Sequence, residues 1–105
     1  LEMKRKDGQT ALHLAASAGL CDIVKALCNH GISVNGVDSM FRTPLHLASW
    51  RGDPDVTEVL LKRRADLKAV NKIGRTALHV AAVYGHTKVA QLLLDARASV
   101  DAINY

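Results

Sequence analysis

Thr43-Pro-Leu-His46-Leu-Ala-Ser49 opens a short helix: a hydroxyl at the cap, a proline just inside where its missing N–H costs nothing, then apolar and small residues. The same phrase stands 33 residues earlier as Thr10-Ala-Leu-His13-Leu-Ala-Ala16 and 33 residues later as Thr76-Ala-Leu-His79-Val-Ala-Ala82. Gly19, Gly52 and Gly85 keep the interval without an insertion. Self-similarity at this period marks a solenoid, in which each unit buries its apolar face only against its neighbours. Such a stack has no single deep core, so the functional question becomes which of its surfaces meets a partner.

Within each unit the threonine is placed to accept a backbone N–H of the first turn, and the histidine three residues on can reach back to it as a variant capping box. His13, His46 and His79 are therefore structural ties. The glycines end this first helix after about two turns. A second, longer helix is predicted from apolar spacing at Ile23, Val24, Leu27 and Cys28, at Val56, Val59, Leu60 and Leu61, and at Val89, Ala90, Leu92, Leu93 and Leu94. Asp53-Pro54 gives the middle one a clean start. Ala15, Ala16, Ala48, Ala81 and Ala82 would let neighbouring helices approach closely. Polar segments around Ser39 and Lys72 would project between helix pairs as turn-rich fingers.

The chain has 105 residues, 49% of them hydrophobic, with no run approaching the roughly 20 apolar residues of a membrane span. Leu1 to Lys6 lacks the apolar stretch of a signal peptide and reads as a leader or a remnant. Cys21 and Cys28, seven positions apart on a helical pattern, lie roughly 10 Å apart along the axis, beyond disulfide reach. Two such thiols suit a reducing cytoplasm or nucleus.

Motif and period together resemble the ankyrin repeat, with its T-P-L-H-x-A signature, from about Arg5 to Tyr105. The resemblance implies an all-α repeat solenoid of helix-turn-helix pairs with β-turn or hairpin fingers, one domain over 1–105 with repeats of about 5–38, 39–71 and 72–105. It implies a non-catalytic module that binds another protein through a concave groove of fingertips and short inner helices. Carried onto this chain, the groove positions are Asp7 and Gln9, then Ser39, Met40, Phe41, Arg42, Trp50 and Arg51, then Lys72, Ile73, Arg75, Val83 and Tyr84. Three of the four aromatic residues fall on this face, and Trp, Tyr and Arg are enriched at interface hot spots. The competing structural reading is that Trp50 and Tyr84 cap the alanines of adjacent layers.

Departures from the family pattern carry expectations of their own. Gly8 and Gly74 occupy fingertips where the middle unit has Phe41, so that finger has either a different turn or an exposed ring. Gly31 follows the second helix where the later units carry Arg64 and Arg97. Asn35 resembles, in part, the asparagine that ankyrin repeats offer to an asparaginyl hydroxylase, although Asn35-Gly36 is also a good turn dipeptide.

The net charge of +4, and eight Lys or Arg against four acids between Met40 and Arg75, favour an acidic partner segment. Lys62-Arg63-Arg64 supports an alternative, a basic nucleic-acid-binding or nuclear regulatory fragment. At a helix C-terminus such residues more often complement the macrodipole, and neither interleaved aromatics nor a recognition-helix motif supports nucleic acid. Stacked histidines about 10 Å apart cannot share a metal, and no phosphate-cradling loop or carboxylate pair is found, so no metal, cofactor or catalysis is expected. The regular pattern at both ends suggests a section of a longer array, with weak self-association through uncapped ends.

Overall fold

The computed structural model describes the backbone of residues 7–103 and the side chains of residues 7–97. The leader reading of residues 1–6, and Tyr105, lie outside them. Six helices follow in order: α1 (Ala11–Ala18), α2 (Cys21–Asn29), α3 (Pro44–Arg51), α4 (Pro54–Lys62), α5 (Ala77–Val83) and α6 (Thr87–Ile103), with no strand among the described residues. α1, α3 and α5 pack side by side as an inner row, and α2, α4 and α6 as an outer row. Each inner helix also packs on the outer helix that follows it.

The caps are built as the sequence dictates. In all three units the His backbone N–H donates to the Thr hydroxyl while the Thr backbone N–H donates to the His Nδ1, at 3.2, 3.0 and 3.1 Å for His13, His46 and His79. Because Nδ1 accepts, the ring proton sits on Nε2. His13 Nε2 donates to the Arg42 carbonyl at 2.8 Å and His46 Nε2 to the Arg75 carbonyl at 2.9 Å, each reaching 29 residues into the next unit. One imidazole therefore caps its own helix and pins the following finger. Among the described residues nothing meets His79 Nε2.

Five of the helices end in the left-handed closure that returns two N–H groups to the last turn. At the end of α2 Gly31 donates to the Cys28 carbonyl and Ile32 to Leu27, and at the end of α4 Arg64 donates to Leu61 and Ala65 to Leu60. Arg64 thus takes a glycine's place, at φ +65° against +85° for Gly31. The second helices are nine residues long in the first two units, only one more than the first helices, so the expected difference in length is slight there. α6 instead runs 17 residues, straight through Arg97, where the repeat pattern leads one to expect a closure. No glycine or proline interrupts Asp95 to Ile103, and its three alanines favour continued helix.

Leu12, Leu45, Val24, Val56, Leu60, Val89 and Leu93 form the continuous core. Ala15, Ala16, Ala48 and Ala81 are buried at the close approaches, whereas Ala82 is exposed. The middle layer is covered from both sides and the outer two from one. Ile23 is accordingly exposed where its counterparts Val56 and Val89 are buried, and Leu94 is exposed where its counterpart Cys28 is buried. Both thiols are free, and burial pushes the Cys28 thiol up despite the Arg63 charge nearby.

Side chains from each layer also cap the helix ends of the layer before. Arg51 donates to the Ser17 carbonyl at 3.3 Å, and His86 Nε2 donates to the Trp50 carbonyl at 2.9 Å. These are equivalent carbonyls at the ends of α1 and α3, which have no acceptor role within their own helices. A side chain on Gly19 would overlap the Arg51 guanidinium and one on Gly52 the His86 ring, so these glycines supply clearance as well as positive φ.

Candidate binding groove

Two fingers share one architecture. In the second, Phe41 N–H donates to the Asp38 carbonyl and Asp38 N–H to the Arg42 carbonyl; in the third, Gly74 N–H donates to Asn71 and Asn71 N–H to Arg75. This is a turn followed by a left-handed residue, the three-residue hairpin loop with a bulge. Phe41 occupies the left-handed site at φ +58°, matching Gly74 at +81°, so the turn is unchanged and the aromatic ring is exposed. The Asp38 carboxylate organises its finger from within, accepting from Met40 N–H at 2.9 Å and Arg42 N–H at 2.8 Å. Asn71 does the same for Ile73 and Arg75, at 3.1 and 3.0 Å. Fingers are stitched to each other as well, Ser39 N–H to the Asp7 carbonyl and Lys72 N–H to the Met40 carbonyl.

Between the fingers and the C-terminal ends of the inner helices lies a trough of about 670 Å³. It brings together Gln9, Arg42, Trp50, Ile73, Arg75, Val83 and Tyr84 from the thirteen positions carried over from the family. Asp7, Ser39, Met40, Phe41 and Lys72 stand on the fingers outside its lining. Arg51 also lies outside it, bordering a shallower hollow with Trp50, Tyr84 and His86, its guanidinium committed to the layer joint. Ser17, Ala18, His46, Leu47, Asn71 and Val80 complete the trough and were not marked by the sequence, because at these positions the repeat reads as core or turn.

The walls are markedly apolar. Trp50 is 48% exposed, Tyr84 57%, Val83 61% and Ile73 69%, so neither aromatic ring is sealed between layers. Tyr84 is stacked on His86 with ring centroids 6.3 Å apart. His86 is half-buried and tied to the Trp50 carbonyl; it has no counterpart in the other units, where Leu20 and Asp53 stand.

Charge is distributed unevenly along the trough. Arg42 Nε lies 2.8 Å from Asp38 Oδ2, which also takes the Gln9 amide at 3.4 Å. Burial alone would raise the Asp38 carboxyl, but the Arg42 backbone and guanidinium, Gln9 and Met40 donors outweigh it and hold it below the usual range. His46, on the trough floor, is held below the ordinary imidazole value chiefly by burial, against the opposing pull of the Arg75 carbonyl and Asp38. Away from the trough, Asn35 accepts from Asp66 N–H at 2.7 Å and so links two loops. Lys62 pairs with Glu58 and Arg63 bonds Asn29, so two of the three basic side chains of that run have partners within the chain.

Among the described residues no three His, Cys, Asp or Glu side chains are grouped to hold a metal ion, and no helix is long and apolar enough to cross a membrane. The family model for ankyrin repeats, in three copies, matches residues 1–71 and 43–104. The chain belongs to the ankyrin-repeat family. Ankyrin repeats are in general protein–protein interaction modules, a family that is generally non-catalytic. The chain is 51% identical over 43 residues to Rabankyrin-5 of mouse and of human, 41% of this chain and 4% of theirs. It is similarly 51% identical over 39 residues to delta-latroinsectotoxin-Lt1a of Latrodectus tredecimguttatus, 37% of this chain and 3% of that protein. This ankyrin array thus spans a few per cent of the length of the relatives it matches.

Proposed function

We propose that this ankyrin array is a non-catalytic binding module that takes a segment of another protein in the trough between fingers and inner helices. The observation that carries this is the exposed apolar wall of Trp50, Val83, Tyr84 and Ile73, which the packed layers do not use and which Arg42 and Arg75 border. Large aromatic side chains held on short rigid helices lose little entropy on binding and supply much contact area. Family resemblance supports the same face, and the thiols suit a cytoplasmic or nuclear setting.

The test is a selection of short peptides from a random displayed library, followed by mapping of the bound peptides through backbone amide shifts. Shifts should cluster on α3, α5 and the third finger. Replacing Trp50 and Tyr84 together by alanine should weaken binding by about 30-fold or more, the scale of a hot-spot pair, with helicity and melting temperature retained. Shifts confined to α2, α4 and α6, or a double variant that binds as well as the parent, would overturn the assignment.

A further inference from the structure

The second and third fingers match in their backbone hydrogen bonding but differ at two charged positions, Asp38 against Asn71 and Ser39 against Lys72. Asp38 neutralises Arg42 at 2.8 Å, whereas Asn71, at the same register position, satisfies the same two backbone donors without bringing a carboxylate. Among the described residues no acid pairs with Arg75, and Lys72 stands beside it on the same finger. The trough therefore carries a compensated guanidinium at one finger and an uncompensated one at the next, adjoining the apolar wall of Ile73, Tyr84 and Trp50.

From this we infer that the occupant is an acidic segment with Asp or Glu close to a large apolar side chain, its carboxylate on Arg75 and its apolar group against Trp50 and Tyr84. The inference rests on the groove reading above and narrows it. Arg75 offers a planar, permanently charged fork that matches a carboxylate in two-pronged geometry. Arg42 presents the same group already occupied, so the acidic part of the peptide lies over the third finger and the peptide's direction in the trough is fixed. Arg75 is exposed, which places the interaction where it sets specificity and encounter rate, with salt screening as its signature.

Asn71→Asp gives the third finger the second finger's carboxylate, and Asp38 shows that an aspartate holds this turn. On the unaltered chain, a random displayed peptide library should yield sequences rich in Asp or Glu beside Leu, Phe or Tyr. On N71D the acids should fall to background while the apolar residues persist. For one recovered peptide followed by Trp50 fluorescence, N71D and R75Q should each weaken binding by up to about five-fold, the upper end of the scale of an exposed ion pair. Replacing the peptide's acids by their amides should do the same. In the R75Q background N71D should add little, since its effect runs through the guanidinium. Recovered peptides without acidic enrichment, equal acidic enrichment on N71D, or an N71D effect undiminished in R75Q would overturn the inference while leaving the groove assignment standing. Recovery of no groove-binding peptide, or indifference to the Trp50/Tyr84 variant, would remove both.

Discussion

Arg64→Gly should stabilise the array. Arg64 holds φ +65° at the closure of α4, where its side chain is exposed and its N–H donates to the Leu61 carbonyl. A left-handed conformation costs a residue with a β-carbon about 1–2 kcal/mol, a cost glycine escapes. Against this, glycine enlarges the unfolded ensemble by about 0.4–1 kcal/mol. The difference leaves a net gain of about 0.5–1 kcal/mol, or a melting temperature higher by about 2–6 °C for a domain near this size. Gly31 shows that the closure accommodates glycine, at φ +85° with open space around it. Thermal unfolding followed by circular dichroism, with a urea titration to confirm an unchanged slope, reads the effect. The reciprocal change, Gly31→Ala, should lower stability. A melting temperature unmoved or lowered in Arg64→Gly would show that Arg64 contributes through contacts and that backbone strain at this closure is negligible.

Ser49→Ala should also stabilise: the Ser49 hydroxyl is fully buried with no hydrogen-bond partner among the described residues, and Ala16 fills the equivalent buried position in α1. Removing an unsatisfied buried hydroxyl is worth about 1 kcal/mol, and a fall in the urea midpoint would refute this. Acidification should weaken the array in two windows. His46 has a lowered folded-state value, so the unfolded chain binds its proton first; the stability it contributes is full above the ordinary value of 6.5 and lost as pH falls through the lowered one. Protonation at Nδ1 would also turn the acceptor of the Thr43 N–H into a donor. Asp38, likewise lowered, contributes above its ordinary 3.8 and loses that contribution as pH falls through its depressed folded value. Melting temperatures measured against pH, with His46→Gln flattening the upper window, check the assignment; an unchanged upper window in that variant would refute it.

The fold was legible because each unit states the same local rules: a threonine cap, a histidine three residues on, small residues at the close approach and glycine at the exit. Seven of the thirteen marked positions line the trough, among them Trp50, Tyr84 and Ile73, which differ from unit to unit at positions the repeat leaves exposed. What escaped were features that belong to no single unit. Arg51 has the composition of a hot spot, yet its guanidinium caps the Ser17 carbonyl of the layer before. His86 has no repeat counterpart to identify it, and its role depends on the end of α3, 36 residues away. The exchange of Asp38 for Asn71 looks like turn chemistry in the sequence; only their distances to Arg42 and Arg75 donors show that one preserves geometry while removing charge. The length of α6 was missed because the repeat pattern anticipates a stop that nothing in the local composition imposes.

The glycines that close α1 and α3 show where an array of near-identical units resists revision. An alanine at Gly52 would meet the His86 ring of the following layer and one at Gly19 the Arg51 guanidinium, whereas one at Gly85 would meet nothing within 4 Å among the described residues. Tolerance is thus not a property of the motif letter but of the successor. Anyone shuffling, duplicating or grafting these units inherits joints that must be matched in pairs, and the same substitution will be damaging at one seam and mild at another.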